Sequence, residues 1–445
     1  MATWLTSWDP ENKAQWEQSG ERLAWRTLTI TTIALTLSFA TWFMMSAIVT
    51  KLPGIGFKFT TDQLFWLAAM PGLAGGTLRI VHTFLIPIYG TRHTVTYSTL
   101  IKLIPCIGIG LAVMDPTTPF WVFMVLALTA GFGAGDFSSY MPSTNLFFPK
   151  RLKGAALGIQ AGIGNFGVSL AQFMTPALLG VALFGTPQEW TAPGPGGTPG
   201  TTWIYLQSAA LWYVPLLLIM TGVCWWGLRS VPIKASFREQ LDIFKERHTW
   251  YCTITYVMTF GTFAGLSAAF PMMMKALYGN FPGAPDPLQY AFYGPLIGSA
   301  SRVLFGFVAD RTGGGVLTTV TGLGLLAGSA IMLFTGSLAP TSMDQFPVFV
   351  AGMLGMFLFA GIGNAATFRQ FPIIFGHNPR QAAGVIGWTA AVAAYGPFIF
   401  SMLIGAVIGA TGNANGFFVG LIVFLVLATW INWNFYHRKG CARPC

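Results

Sequence analysis

Charge is what this chain most lacks. Only 9% of its 445 residues are Asp, Glu, Lys or Arg, against about 25% in soluble domains. A soluble fold of this length cannot hide an apolar fraction of 53%, so the solvent is a bilayer. Cysteine is scarce as well. Cys106, Cys224, Cys252, Cys441 and Cys445 show no disulfide-framework or zinc-ribbon spacing, and they read as reduced thiols with no metal site. No HExxH, Walker or Ser-His-Asp context occurs, and Gly131-x-Gly133-x-Gly135 lies inside an apolar run with no preceding strand. Neither an enzyme nor a bound cofactor is expected. Lys and Arg outnumber Asp and Glu by 24 to 14. Most of the basic residues fall in short loops, however, so they orient the chain in a membrane rather than bind nucleic acid.

What is abundant suits membrane helices: aromatics at 15%, with 53 Gly and 27 Pro. Windows of about 20 apolar residues mark twelve spans, at 27–50, 63–87, 94–114, 119–146, 153–183, 203–228, 250–277, 288–309, 315–338, 346–375, 381–409 and 416–436. The expected fold is an all-α membrane protein of twelve transmembrane helices. Residues 1–26 read as a short polar helix on the membrane surface, and 437–445 as a tail. Residues 185–202, rich in Gly, Pro and Thr, read as a flexible loop. Arg22, Arg26, Arg92, Arg151, Arg229, Lys245, Arg247, Arg311, Arg438 and Lys439 lie on the side of the termini, against Lys51, Lys58 and Lys275 opposite. The positive-inside rule then puts both termini in the cytoplasm.

The polar stretch 229–249 divides the spans into halves at 27–228 and 250–436, and these halves repeat. Gly75-x-x-x-Arg79 in span two recurs as Gly298-x-x-x-Arg302 in span eight, and Ala130-Gly131-x-Gly133 as Ala360-Gly361-x-Gly363. Pro142, Pro149, Lys150 and Gly154 align in the same register with Pro372, Pro379, Arg380 and Gly384. Two six-span halves of one orientation are the major facilitator plan, in which substrate binds at midplane between them. Gly306-x-x-x-Asp310-Arg311-x-Gly313-Gly314, placed after span eight, resembles the loop signature of that superfamily.

Ionisable groups at membrane depth are costly, and each is a functional candidate. Arg79, Lys102, Asp136 and Arg302 qualify, with Arg369 nearer the end of span ten. At 1.5 Å per residue Arg79 and Arg302 both lie ~11–12 Å from the inner ends of their spans. They face one another across the pseudo-twofold axis, and neither has a carboxylate on its own helix. Lys102 and Asp136 reach similar depth on neighbouring antiparallel spans and read as a neutral pair, with proton coupling through Asp136 as the alternative role. A surplus of midplane positive charge favours a small anion. In span five Gly158, Gly162, Gly164 and Gly167, with Asn165, form a helix face almost bare of side chains. Gly384 and Gly387 echo it in span eleven. Such faces serve close helix packing and also admit a small ligand to the backbone.

Several segments then resemble a known family. Phe57-Lys-Phe-Thr-Thr-Asp-Gln-Leu-Phe65, Leu146-Phe-Phe-Pro-Lys150, Ala156-Leu-Gly-Ile-Gln-Ala-Gly-Ile-Gly-Asn-Phe-Gly167 and Gln289-Tyr-Ala-Phe-Tyr-Gly-Pro-Leu-Ile-Gly298 are similar to the bacterial nitrate/nitrite porter family of the major facilitator superfamily. The resemblance implies a monomeric inner-membrane carrier in which Arg79 and Arg302 bind nitrate or nitrite. It implies that Phe39, Phe137, Asn165, Tyr256 and Phe260 line the site, and that the fifth and eleventh spans bend during transport. Span eleven is poorer in glycine than that family's pattern, and Asp136 stands where an uncharged residue is expected. The physics is consistent with such a substrate, since a planar, three-acceptor anion matches the planar donor fork of a guanidinium. Two transport modes follow: exchange of nitrate for nitrite, and proton-coupled nitrate uptake using Asp136.

Overall fold

The computed structural model describes residues 3–83, 85–192, 200–232 and 238–445. Eleven of its helices are long and apolar enough to cross a membrane: α1 (Lys13–Ile48), α2 (Thr61–His82), α3 (Leu85–Ala112), α4 (Phe120–Phe147), α6 (Ser208–Gly227), α7 (Arg247–Tyr278), α8 (Leu288–Thr312), α9 (Gly314–Phe334), α10 (Met343–Ile374), α11 (Gly384–Thr411) and α12 (Asn415–His437). The helix between α4 and α6, α5 (Lys150–Leu179), is longer than most of them. Gln160, Asn165 and Gln172 lower its hydropathy, but it packs along α1 as the twelfth member of the bundle. Each half therefore contributes six helices, and the halves meet chiefly where α2 packs on α11 and α5 on α8.

Local chemistry sets the helix ends. Thr60 and Gln63 form a reciprocal capping box at the start of α2, with bonds of 3.2 and 2.9 Å. Gly90, at φ 74°, breaks the regular helix inside α3. A Cβ at Gly90 would lie 2.4 Å from the Ser230 hydroxyl, so only glycine fits both the backbone and the contact.

Residues 3–26 differ from a free surface helix. The chain from Lys13 runs straight into α1. Ahead of it Trp4 and Ser230 form a short parallel bridge, with Leu5 N donating to Ser230 O at 2.8 Å and Ser230 N to Thr3 O at 2.9 Å. Trp16, Phe147, Phe148 and Val231 bury together beneath this strap. Apolar side chains among the polar ones tie the segment to its own half instead of to lipid. The stretch 185–202 differs too: Gln188–Ala192 and Gly200–Ile204 pair as an antiparallel hairpin, and residues 193–199 at its tip lie outside the described part. Trp190 seats this hairpin on the turn after α1, where a Cβ on Gly54 would come within 2.2 Å of the indole.

At the end carrying the termini, the tail folds under the second half. Gly315 N donates to Cys445 O at 2.8 Å, and Arg443 reaches Ile374 O at 3.0 Å and Glu246 at 3.4 Å. Burial pushes the Cys445 thiol up to about 12. Little thiolate is then present at neutral pH, so iodoacetamide should alkylate Cys445 at least roughly tenfold more slowly than a free thiol. Mass spectrometry of timed quenches reads this directly, and alkylation at the free-thiol rate would contradict the half-buried placement.

Candidate anion-binding site between the halves

Arg79 projects from α2 into the centre of the bundle and is fully buried. Its Nε donates to the Ala134 carbonyl of α4 at 3.0 Å, and its Nη1 crosses to the Ala390 carbonyl of α11 at 2.8 Å. Its Nη2 has no partner. Four rings surround the guanidinium, with centroids 4.8 Å (Phe137), 5.1 Å (Phe260), 5.4 Å (Trp42) and 6.0 Å (Phe39) from its carbon. Arg302 enters from α8 and is 5% exposed. Both of its terminal nitrogens lack partners, and its guanidinium lies 4.8 Å from the Phe368 ring. Neither arginine has a carboxylate partner among the described residues.

The rings belong to one stack. A π turn at Val257–Gly261 interrupts α7 at this level, a common device at functional sites. Tyr256 and Phe260 stack at 5.5 Å and 9°. Phe260 faces Phe137 at 6.4 Å and 23°, and Phe39 meets Phe137 edge-on at 6.2 Å. Phe137 and Phe260 are therefore in mutual contact, and a planar ligand enters between them only by parting them. Buried beside them are the Tyr256 hydroxyl, close to the Arg302 guanidinium but without a well-formed hydrogen bond, and both amide atoms of Asn165, which have no partner. An unmet donor in a dry site is expensive, and here several such groups gather around two cations.

Three residues join the site that the sequence reading passed over, Trp42 beside Arg79 being one of them. Phe368 of α10 touches Phe137 at 6.2 Å and Tyr256 at 5.4 Å. Asn364, one turn earlier on the same helix face, is fully buried with both amide atoms unpartnered. Arg369 moves the other way. It is 42% exposed and pairs with Asp310 at 2.7 Å, so it belongs to the surface at the end of α8 and α10 and not to the interior. Asp310 and Arg311 themselves lie in the last turn of α8, which runs on to Thr312, rather than in a loop after it.

Asp136 and Lys102 meet in the first half, fully buried, as an ion pair. Ser98 and Ser38 also donate to this carboxylate, the latter at 2.5 Å, and His82 Nδ1 lies 3.7 Å away while contacting Ser139 at 3.1 Å. The glycines of α5 divide their duties. A Cβ at Gly164 would strike Leu35 at 2.7 Å, one at Gly167 the Thr36 carbonyl at 2.1 Å, and one at Gly162 Val303 of the other half at 2.4 Å. Gly158 faces open space. In α11 Gly384 lies against Ile243 and Gly387 near Thr83. Most of the glycine face thus serves close helix approach.

The Major Facilitator Superfamily profile matches residues 27–377. The "Probable nitrate/nitrite antiporter NarK2" of Thermus thermophilus is 56% identical over 448 residues, covering 100% of this chain and 98% of that one. The "Nitrate/nitrite transporter NarU" of Escherichia coli (strain K12) is 36% identical, covering 98% and 96%. Among solved structures, a bacterial homolog of the human lysosomal transporter Spinster superposes with a TM-score of 0.65 at 16% identity, covering 92% and 96%; this similarity bears on fold alone. With a family profile over most of its length and relatives this similar from end to end, the chain belongs to the nitrate/nitrite porter family of the major facilitator superfamily, and it is a multi-pass membrane transporter and not an enzyme.

Proposed function

We propose that this protein exchanges nitrate for nitrite across a bacterial cytoplasmic membrane by alternating access, holding the anion between Arg79 and Arg302. The observation that carries the reading is the set of buried, unpartnered donors: Arg79 Nη2, Arg302 Nη1 and Nη2, the Tyr256 hydroxyl and the Asn165 amide. A planar anion with three acceptor oxygens satisfies several of these at once, and exclusion of water by the surrounding rings strengthens each charge contact. The names carried by the relatives point to the same substrates. Basic residues flanking the end with the termini support a cytoplasmic position for that end. Counterflow of labelled nitrate into proteoliposomes loaded with nitrite tests the proposal, and no counterflow from well-folded protein rejects it.

Exchange follows from charge. With Lys102 and Asp136 neutralising each other, the empty site carries two guanidinium charges, and moving them unpaired through a dry interface costs several kcal/mol per ion. A bound anion removes part of that cost, so the loaded carrier reorients faster than the empty one. The second reading, proton-coupled nitrate uptake, is motivated by one feature: a buried acid, Asp136, adjoins Phe137 with His82 close by.

Phe137 closes the site over Arg79. Replacing it with Ala should weaken nitrate binding by roughly 1–3 kcal/mol, the scale of burying such a ring. Calorimetry on the purified variant measures this, and an unchanged affinity would remove Phe137 from the binding site.

A further inference from the structure

At the end of the bundle opposite the termini, the two halves are joined by cations. Lys51 follows α1 in the first half, and its side chain is only 3% exposed. Its ammonium pairs with Asp286, which precedes α8 in the second half, and lies 4.5 Å from the centroid of the Trp190 ring. Lys275 of α7, also in the second half, donates to the Thr50 carbonyl at the end of α1. Both contacts therefore cross between halves. Asp286 is held in place by Leu288 N, which donates to its other oxygen at 3.1 Å. Deeper on the same side Gln172 crosses to the Ser267 carbonyl at 2.8 Å, so this end is shut.

We propose that Lys51, Lys275 and Asp286 form a latch that shuts this mouth and, once open, becomes a capture site for a small monovalent anion on its way to Arg79 and Arg302. The inference rests on the transport reading above. Opening the mouth must separate first-half groups from second-half groups. Lys275 then loses Thr50, and Lys51 loses Asp286. The single carboxylate stays on the second half with Lys275, where it neutralises that cation. Lys51 remains on the first half beneath the Trp190 indole, with no countercharge among the residues of the latch. Two cations and one acid thus give a neutralised pair and one free ammonium, facing the path at the moment the path is exposed. An ammonium in a narrow, low-dielectric mouth raises the local anion concentration and the rate of capture. An ammonium is a point charge without the planar fork of a guanidinium, so capture here selects for charge, and nitrate, nitrite and chloride compete. Discrimination is left to the arginines.

The test uses proteoliposomes with the full chain in one orientation, and nitrate offered from either side at low and high sodium gluconate. With Lys51→Gln, KM for nitrate offered on the latch side should rise about threefold or more at low salt, with little change at high salt, where screening removes the effect. KM on the other side should stay as in the wild type, and Lys51→Arg should keep the low value. Chloride added on the latch side should raise the nitrate KM of the wild type and not that of Lys51→Gln. Asp286→Asn should weaken closure, so that a cysteine placed at Ser267 reacts faster with a membrane-impermeant thiol reagent. Equal KM in Lys51→Gln and wild type on the latch side, or equal shifts on both sides, would overturn the capture site. Unchanged labelling in Asp286→Asn would overturn the latch. A wild type without nitrate exchange would instead reject the transport reading, which separates the two failures.

Discussion

Exchange should collapse in Arg302→Lys although the charge is kept. Arg302 presents two terminal nitrogens, both buried and both without protein partners, which is the arrangement needed to grip two oxygens of one planar anion. A lysine offers a single ammonium on a flexible stem and cannot reproduce the fork. Each charge-assisted hydrogen bond lost costs roughly 1.5–3 kcal/mol, or about 10- to 100-fold in affinity. Arg79→Lys should be as damaging for a second reason. Arg79 spends two nitrogens on the Ala134 and Ala390 carbonyls, so the substitution also unties α2 from α11. The two variants should therefore differ in stability: Arg302→Lys folds like the wild type, whereas Arg79→Lys melts earlier in detergent. Counterflow at matched incorporation, beside melting curves, reads both effects. Wild-type exchange in either variant would sink the clamp.

A drop in stability without a change of coupling is the expected result for Asp136→Asn. Its carboxylate accepts from Lys102, Ser38 and Ser98 in a site closed to water. Removing the charge strands the Lys102 ammonium, and breaking a buried pair from one side costs about 3–5 kcal/mol. Changing Lys102→Met together with Asp136→Asn removes both charges and should recover most of the loss. If exchange is the transport mode, both variants keep nitrate/nitrite counterflow, and that counterflow ignores an imposed pH gradient. Nitrate accumulation driven by a proton gradient, in liposomes free of internal nitrite, would overturn exchange. Loss of that accumulation in Asp136→Asn would then name the proton carrier. An unaltered melting temperature in the single variant would show that the pair is not holding the first half together.

Much of the molecule could be read from the chain because membrane insertion writes long apolar runs, and gene-level repetition writes a constant register. Arg79 and Arg302 stood out because charge in such runs is rare, and Gly75 and Gly298 tied them together as a pair. Phe368 and Asn364 did not stand out. One phenylalanine among 38 carries no periodic signal, and Asn364 gains its meaning only from lacking a partner, which is a fact of three dimensions. Arg369, read as nearer the end of span ten, has its partner Asp310 on a neighbouring helix, which depth counted along one helix does not show. The hairpin at Gln188–Ala192 and Gly200–Ile204 was hidden because its stability comes from a distant seat, the Trp190 indole on Gly54. The bond that gives Arg79 its second duty was equally hidden, since its acceptor is backbone.

Because Arg79 Nη1 reaches across the halves to the main-chain carbonyl of Ala390, the contact leaves no mark of paired substitution. Any residue at position 390 that keeps the helix offers the same oxygen, so no second side chain must change in step with the first. Residue-pair covariation among related chains is therefore blind to this link between the halves, however strong it is. On the proposed reading the arginine answers to both ligand and closure, while position 390 need only carry a helix-compatible residue of similar size.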